Sequence, residues 1–141
     1  MDEVTYKHQA MEEVLASYKR CLLTGTFFDD FYKALLGMSP TIREKFIHTD
    51  MARQEEIIKT GVTYLLKYFC NPGPLTMQKI VDIGESHAQA QYDIPPYMYG
   101  YWVSALMATV ANHDPLFSAT LERNWQMVLD HGISAIKSLY I

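Results

Sequence analysis

The chain has 141 residues, a formal net charge of −4 and hydrophobic and charged fractions of 49% and 20%. This length and composition predict one globular domain spanning residues 1–141, with a core that needs no disulfide or structural metal. The acidic balance argues against a nucleic-acid partner, and the polar start and lack of a membrane-length apolar run predict a cytoplasmic protein without membrane attachment.

Apolar residues recur at a helical period along the chain, and no segment alternates at period 2 for long enough to predict a strand. The pattern therefore predicts an all-α fold. Glycine, proline and capping residues divide it into segments. The predicted helices cover residues 5–23, 27–36, 40–46, 51–69, 76–92, 97–112 and 118–140.

His87 is the residue in the fifth predicted helix whose side chain suggests a chemical function. It follows Ile83 by one turn and so points from the apolar side of the helix. Gly84 leaves the backbone bare where a flat ligand would need room. A neutral imidazole in an apolar pocket is a natural iron ligand, and haem has the matching shape. The alternative is a core histidine bonded to a carbonyl.

The order of the elements resembles a globin, and more narrowly the bacterial single-domain globins, from about residue 18 to residue 140. Residues 31–46 are similar to the family motif F-Y-x-x-L-x-x-x-x-P-x-x-R-x-x-F, and residues 50–54 precede a segment like the distal helix. Residues 87–102 are similar to the motif that begins with the proximal histidine, with one residue inserted, and Trp125 matches an aromatic of the last helix. The resemblance implies a 3-over-3 helical sandwich around a haem pocket.

The resemblance assigns roles on the proximal side of that pocket. His87 matches the iron ligand, and Phe46 matches the aromatic that wedges the haem. Tyr99 matches a tyrosine that helps to orient the proximal imidazole in flavin-linked relatives, together with a glutamate. In this chain the glutamate position falls at Tyr140. Because no C-x-x-C-H motif is present, haem b (iron protoporphyrin IX) would be bound non-covalently.

On the distal side, Tyr32 matches the tyrosine whose hydroxyl donates to iron-bound oxygen. The family spacing places Lys59 where glutamine or histidine is usual, with Val62 or Thr63 one turn later over the iron. Lys59 allows three interpretations: contact with a haem propionate, a hydrogen bond to a bound anion or dioxygen, or coordination of iron after loss of its proton. The haem-contacting set implied by the resemblance is Phe46, Lys59, Val62, Thr63, Ile83, His87 and Tyr99.

Three functions follow from the resemblance. The first is reversible binding of dioxygen, NO or CO, with no catalytic residue assigned. The second is NO dioxygenation or a peroxidase-like activity, which would need a separate reductase because no such domain is attached. The third is a gas-sensing or haem-free interaction module. Pairing of the long terminal helices would make a homodimer, although nothing in the sequence requires it.

Overall fold

The computed structural model describes residues 2–141, which contain seven α-helices and no strand. The helices are α1 (Glu3–Leu22), α2 (Phe27–Leu36), α3 (Pro40–Lys45), α4 (Met51–Cys70), α5 (Pro74–Ser86), α6 (Met98–His113) and α7 (Ala119–Ser138). The all-α prediction is therefore confirmed, and most boundaries lie within two residues of those expected from the sequence.

Local hydrogen bonds explain where the long helices begin. The carboxylate of Asp2 accepts a hydrogen bond from the backbone N–H of Thr5 at 2.7 Å, and Asp50 caps the start of α4 in the same way. The hydroxyl of Ser118 accepts a bond from the N–H of Leu121 at the start of α7. Each cap satisfies a backbone donor that the first turn of a helix leaves unpaired.

The helices pack as two groups around a common core. Helix α7 contacts α1, α4 and α5, while α2 lies mainly against α6. The apolar faces of these helices supply the interior, which excludes water from the centre of the domain. The largest fully buried side chains include Phe27, Phe31, Ile80, Leu106, Trp125 and Leu129.

A polar network joins α1 to the end of α6. The carboxylate of Asp114 is buried and accepts hydrogen bonds from the hydroxyl of Ser17 at 2.6 Å and from the guanidinium of Arg20 at 2.7 Å. Burial alone would raise the pKa of Asp114, but the bonds from Arg20, Ser17 and the N–H of Leu116 together lower it. The carboxylate therefore stays charged inside the protein.

The prediction that the fifth helix reaches residue 92 is wrong, because α5 ends at Ser86. His87 is its C-terminal cap, and residues 88–92 form turns. Asp93 has a left-handed backbone with φ of +53°. A regular right-handed helix cannot pass through such a residue, so α5 and α6 are separate helices.

The prediction for Gly84 is also corrected. A Cβ atom at this position would lie 2.5 Å from Cδ1 of Leu139 and 3.0 Å from its Cβ. The space beside Gly84 is thus filled by a side chain that follows α7, and it is not available to a flat ligand. The glycine allows the end of α7 to approach α5 closely.

Among residues 2–141, none of the helices is both long enough and apolar enough to span a membrane.

Candidate functional site

His87 lies half-buried at the end of α5, and its imidazole is fixed on one side. Its Nδ1 is 2.8 Å from the hydroxyl oxygen of Tyr99, a buried residue of α6. Within residues 2–141 its Nε2 makes no hydrogen bond. Burial lowers the pKa of His87, which favours the neutral ring. The arrangement leaves one nitrogen held by the protein and the other able to act as a metal ligand.

Tyr99 is a neutral partner for this histidine. Burial raises the pKa of Tyr99 far above its ordinary value, so the phenol keeps its proton at physiological pH. When Nε2 serves as a ligand, the proton of the neutral ring lies on Nδ1, which then donates to the Tyr99 oxygen. The hydrogen bond is therefore compatible with the tautomer that leaves Nε2 free, since the phenol can accept from Nδ1–H as well as donate to a bare Nδ1.

A second group of residues holds the turn that follows His87. The hydroxyl of Tyr140 donates to the Asp93 carboxylate at 2.6 Å, and Nζ of Lys45 donates to the carbonyl of Tyr92 at 3.3 Å. Sequence reasoning missed Asp93 and Lys45. The signal available was an aspartate just before Ile-Pro-Pro, a composition typical of a sharp turn.

Tyr32 and Phe46 lie together on another side of the core. Their ring centroids are 5.8 Å apart with the rings edge to face, and Tyr32 is only 4% exposed. Burial raises the pKa of Tyr32 to about 12, so its hydroxyl remains a donor. That hydroxyl is 3.5 Å from the carbonyl oxygen of Gln54, a long and weak hydrogen bond. A stronger acceptor nearby could therefore take the hydrogen bond of the Tyr32 hydroxyl in place of the Gln54 carbonyl.

Helix α4 presents Ile58 and Val62 to the interior. Val62 is fully buried, and Ile58, one turn earlier, is half-buried and packs on the core. The structure does not bring Lys59 into this group, because its side chain is exposed. A one-residue step along a helix turns the side chain by about 100°, which accounts for the difference from the position expected by counting.

Thr63 lies on the side of α4 that faces α1. Its hydroxyl donates to the carbonyl of Lys59 at 2.8 Å. It is also close to the buried hydroxyl of Tyr18. Burial raises the pKa of Tyr18 to about 12, and the Thr63 side chain acts in the opposite direction. Lys59 and Thr63 both line an open cavity of about 340 Å³ along α4. Neither residue joins the cluster of Tyr32 and Phe46.

At this site the protein offers one imidazole, that of His87, which suits a metal ion whose other ligands are supplied by a cofactor. In the part of the chain that the structure describes, no three His, Cys, Asp or Glu side chains are grouped to hold a metal ion. His87 supplies a single imidazole, so the other ligands of an iron ion would have to come from a cofactor, as they do in a porphyrin. The partly buried apolar side chains packed on the core include Phe46, Ile58, Ile83, Ile94, Trp102 and Val103.

Comparisons with known proteins place this geometry in a family. No protein-family model and no curated protein matches the chain. A solved structure from Pseudomonas aeruginosa PAO1, described as structurally highly homologous to a human haemoglobin, is similar to it. The two chains are 39% identical, with a TM-score of 0.88, over 93% of this chain and 98% of the other.

This likeness extends over nearly the whole fold and is well above the identity at which shared architecture alone would be inferred. The seven helices and their packing are those of the globin fold predicted from the sequence motifs. The chain belongs to the globin family, alongside a bacterial haemoglobin-like protein.

Proposed function

We propose that the chain binds haem b non-covalently and uses it to bind dioxygen reversibly, with NO and CO as further ligands. His87 would supply the bond to iron, and Tyr32 would donate a hydrogen bond to the bound gas. The observation that carries the proposal is the state of His87. Its Nδ1 lies 2.8 Å from the Tyr99 hydroxyl oxygen, its Nε2 makes no hydrogen bond among residues 2–141, and burial lowers the pKa of the ring, which favours the neutral form.

When bound, the haem iron supplies the position at which a diatomic gas is coordinated. The protein's contribution is to hold the group and shield it from water. Phe46, Ile58, Val62 and Ile83 offer apolar contact from three segments of the chain. Burial of a porphyrin against such side chains is favourable for the same reason as burial of a core residue.

The partner of His87 favours gas binding over peroxidase-like chemistry. A carboxylate acceptor would push electron density from the imidazole to iron, whereas a protonated phenol accepts a weaker hydrogen bond. Tyr99 is such a phenol. Tyr140 occupies the position of the family's glutamate, and its hydroxyl is bonded to Asp93 instead of His87. NO dioxygenation would in addition require electrons from a separate reductase.

The Tyr32 hydroxyl also supports binding of a polar diatomic ligand. The Tyr32 hydroxyl is buried and protonated, and among residues 2–141 its one hydrogen bond is the 3.5 Å contact with the carbonyl of Gln54. Bound dioxygen carries partial negative charge, so a nearby donor stabilises it more than it stabilises bound CO. Tyr32 therefore fits the role of a donor that discriminates between the two gases.

The absorption spectrum of the purified chain, expressed with ample haem, tests the proposal. We expect a strong Soret band that is lost or shifted in His87→Gly and restored in that variant by added imidazole. His48→Gly is the matched control, because His48 is exposed in the linker after α3 and should leave the spectrum unchanged. A parent protein without the band, or a His87→Gly variant with an unaltered spectrum, would refute the proposal.

A further inference from the structure

The turn between α5 and α6 is held by hydrogen bonds within its own backbone. The N–H of Ile94 donates to the carbonyl of His87, and the N–H of Asp93 donates to that of Ala88, each at 3.0 Å. Within residues 2–141, Asp93 is the one non-glycine residue with a positive φ. The bond from Ile94 ties the position of the His87 backbone to the conformation of this turn.

Side chains from two distant segments meet at Asp93. The Tyr140 hydroxyl, 47 residues later, donates to one carboxylate oxygen at 2.6 Å. Nζ of Lys45 lies 4.0 Å from the other oxygen and donates to the carbonyl of Tyr92 at 3.3 Å. The turn is thus held both by the segment after α7 and by the end of α3.

The charge on Asp93 suits this role. A carboxylate accepts a stronger hydrogen bond from a phenol than a neutral acceptor does. The same bond to Asp93 raises the pKa of Tyr140, so the phenol keeps the proton that it donates. Aspartate also tolerates the left-handed backbone better than most residues. One side chain therefore sets the turn and receives the contacts that fix it.

We propose that Asp93 and Tyr140 form a clamp that aims the His87 imidazole, so that both act as positioning residues for the haem site. This inference rests on the proposed function. Lys45 immediately precedes Phe46, whose ring lies 5.8 Å from that of Tyr32. The bond from Lys45 to the carbonyl of Tyr92 consequently ties the segment that carries Phe46 to the turn that follows His87.

Four variants separate the clamp from simple stabilisation of the turn. Tyr140→Phe removes the donor and keeps the ring. Asp93→Gly removes the acceptor but suits a positive φ, so the backbone is not strained. The double variant tests whether both act through one bond. Tyr97→Phe is the control, because Tyr97 is exposed and its hydroxyl makes no hydrogen bond among residues 2–141.

Two measurements on the full chain are compared across these variants. Amide hydrogen exchange at residues 92–94 reports the turn and needs no haem. The iron–histidine stretching frequency of the reduced, haem-loaded protein reports the direction of His87. We expect Tyr140→Phe and Asp93→Gly each to speed exchange about tenfold or more and to shift the frequency, with no further change in the double variant. Tyr97→Phe should change neither.

The results distinguish the clamp from the proposed function. Faster exchange with an unshifted frequency would show that the clamp does not position His87 and would overturn the inference. Unchanged exchange in both single variants would overturn it as well. A parent chain that takes up no haem would refute the proposed function, and the exchange data would still report whether Tyr140 and Asp93 hold the turn.

Discussion

The hydroxyl of Ser17 on α1 donates a 2.6 Å hydrogen bond to the carboxylate of Asp114, 97 residues later in the chain. The same hydroxyl oxygen accepts a 3.0 Å bond from the indole N–H of Trp125, which is fully buried on α7. Ser17 thereby connects a charged group to the centre of the core. A buried carboxylate is tolerated because every side of it has a donor.

Asp114→Asn should destabilise the protein. The substitution leaves Arg20 without its carboxylate and weakens the bond from Ser17, at a cost of about 2–3 kcal/mol in the free energy of unfolding. Because the folded pKa of Asp114 lies below its ordinary value of 3.8, its contribution is present above that pH and is lost as the pH falls through the folded pKa. Urea unfolding of parent and variant should therefore differ equally from pH 8 to pH 5, and the difference should shrink only as the pH falls below 3.8 toward the folded pKa. Asp130→Asn, at an exposed position, should show no such difference.

Tyr32→Phe should raise the dioxygen dissociation rate at least several-fold and affect CO less. The lost hydrogen bond to a partly charged acceptor corresponds to about 1–3 kcal/mol, or roughly 5- to 150-fold. Flash photolysis and stopped-flow displacement measure both rates. Tyr101→Phe is a suitable control because Tyr101 is exposed on α6. Equal dioxygen off-rates in Tyr32→Phe and the parent would remove Tyr32 from the distal site.

Lys59→Ala should leave the ferric absorption spectrum and the gas-binding rates unchanged. The lysine side chain is exposed and lines the open cavity along α4. Ile58→Ala, by contrast, should alter the rates, because Ile58 packs on the core one turn before Val62. A change from low-spin to high-spin iron in Lys59→Ala would show that Lys59 is an iron ligand and that α4 is rotated in the loaded protein.

Gly132→Ala should destabilise the protein although alanine is the better helix former. The new Cβ atom would lie 2.5 Å from Cδ2 of Leu65, which is itself buried. Overpacking of this kind costs about 1–3 kcal/mol, against a gain in helix propensity of about 1 kcal/mol. Gly100→Ala, with no atom within 4 Å, should raise the unfolding free energy by about 0.5–1 kcal/mol. Thermal unfolding of the two variants gives the comparison, and a stabilised Gly132→Ala would contradict the packing argument.

Most of the fold could be predicted because local signals mark the ends of the helices. Asp50 caps α4, and the Asn-Pro-Gly-Pro sequence from residue 71 stops it one residue beyond the predicted end. The end of α5 has no such signal, since alanines after His87 continue a plausible helical pattern. The segment after α5 is held in turns by backbone bonds such as that from the N–H of Tyr92 to the carbonyl of Ser86, together with the non-local bonds to Tyr92 from Lys45 and to Asp93 from Tyr140.

The candidate site was predictable where a motif fixes residue identity and less so where it depends on register. Tyr32 and Phe46 lie in one ungapped motif, and the structure brings their rings together. The distal position on α4 was counted from Met51, and an error of one residue moves it to another face. Lys59 and Ile58 are adjacent in sequence, yet one is exposed and the other packs on the core.

The close fit of Leu139 against Gly84 bears on how the protein is made. During synthesis, α5 emerges from the ribosome more than fifty residues before the side chain that covers its glycine. The packing of α5 against the end of α7 therefore cannot be completed until residue 139 has been translated.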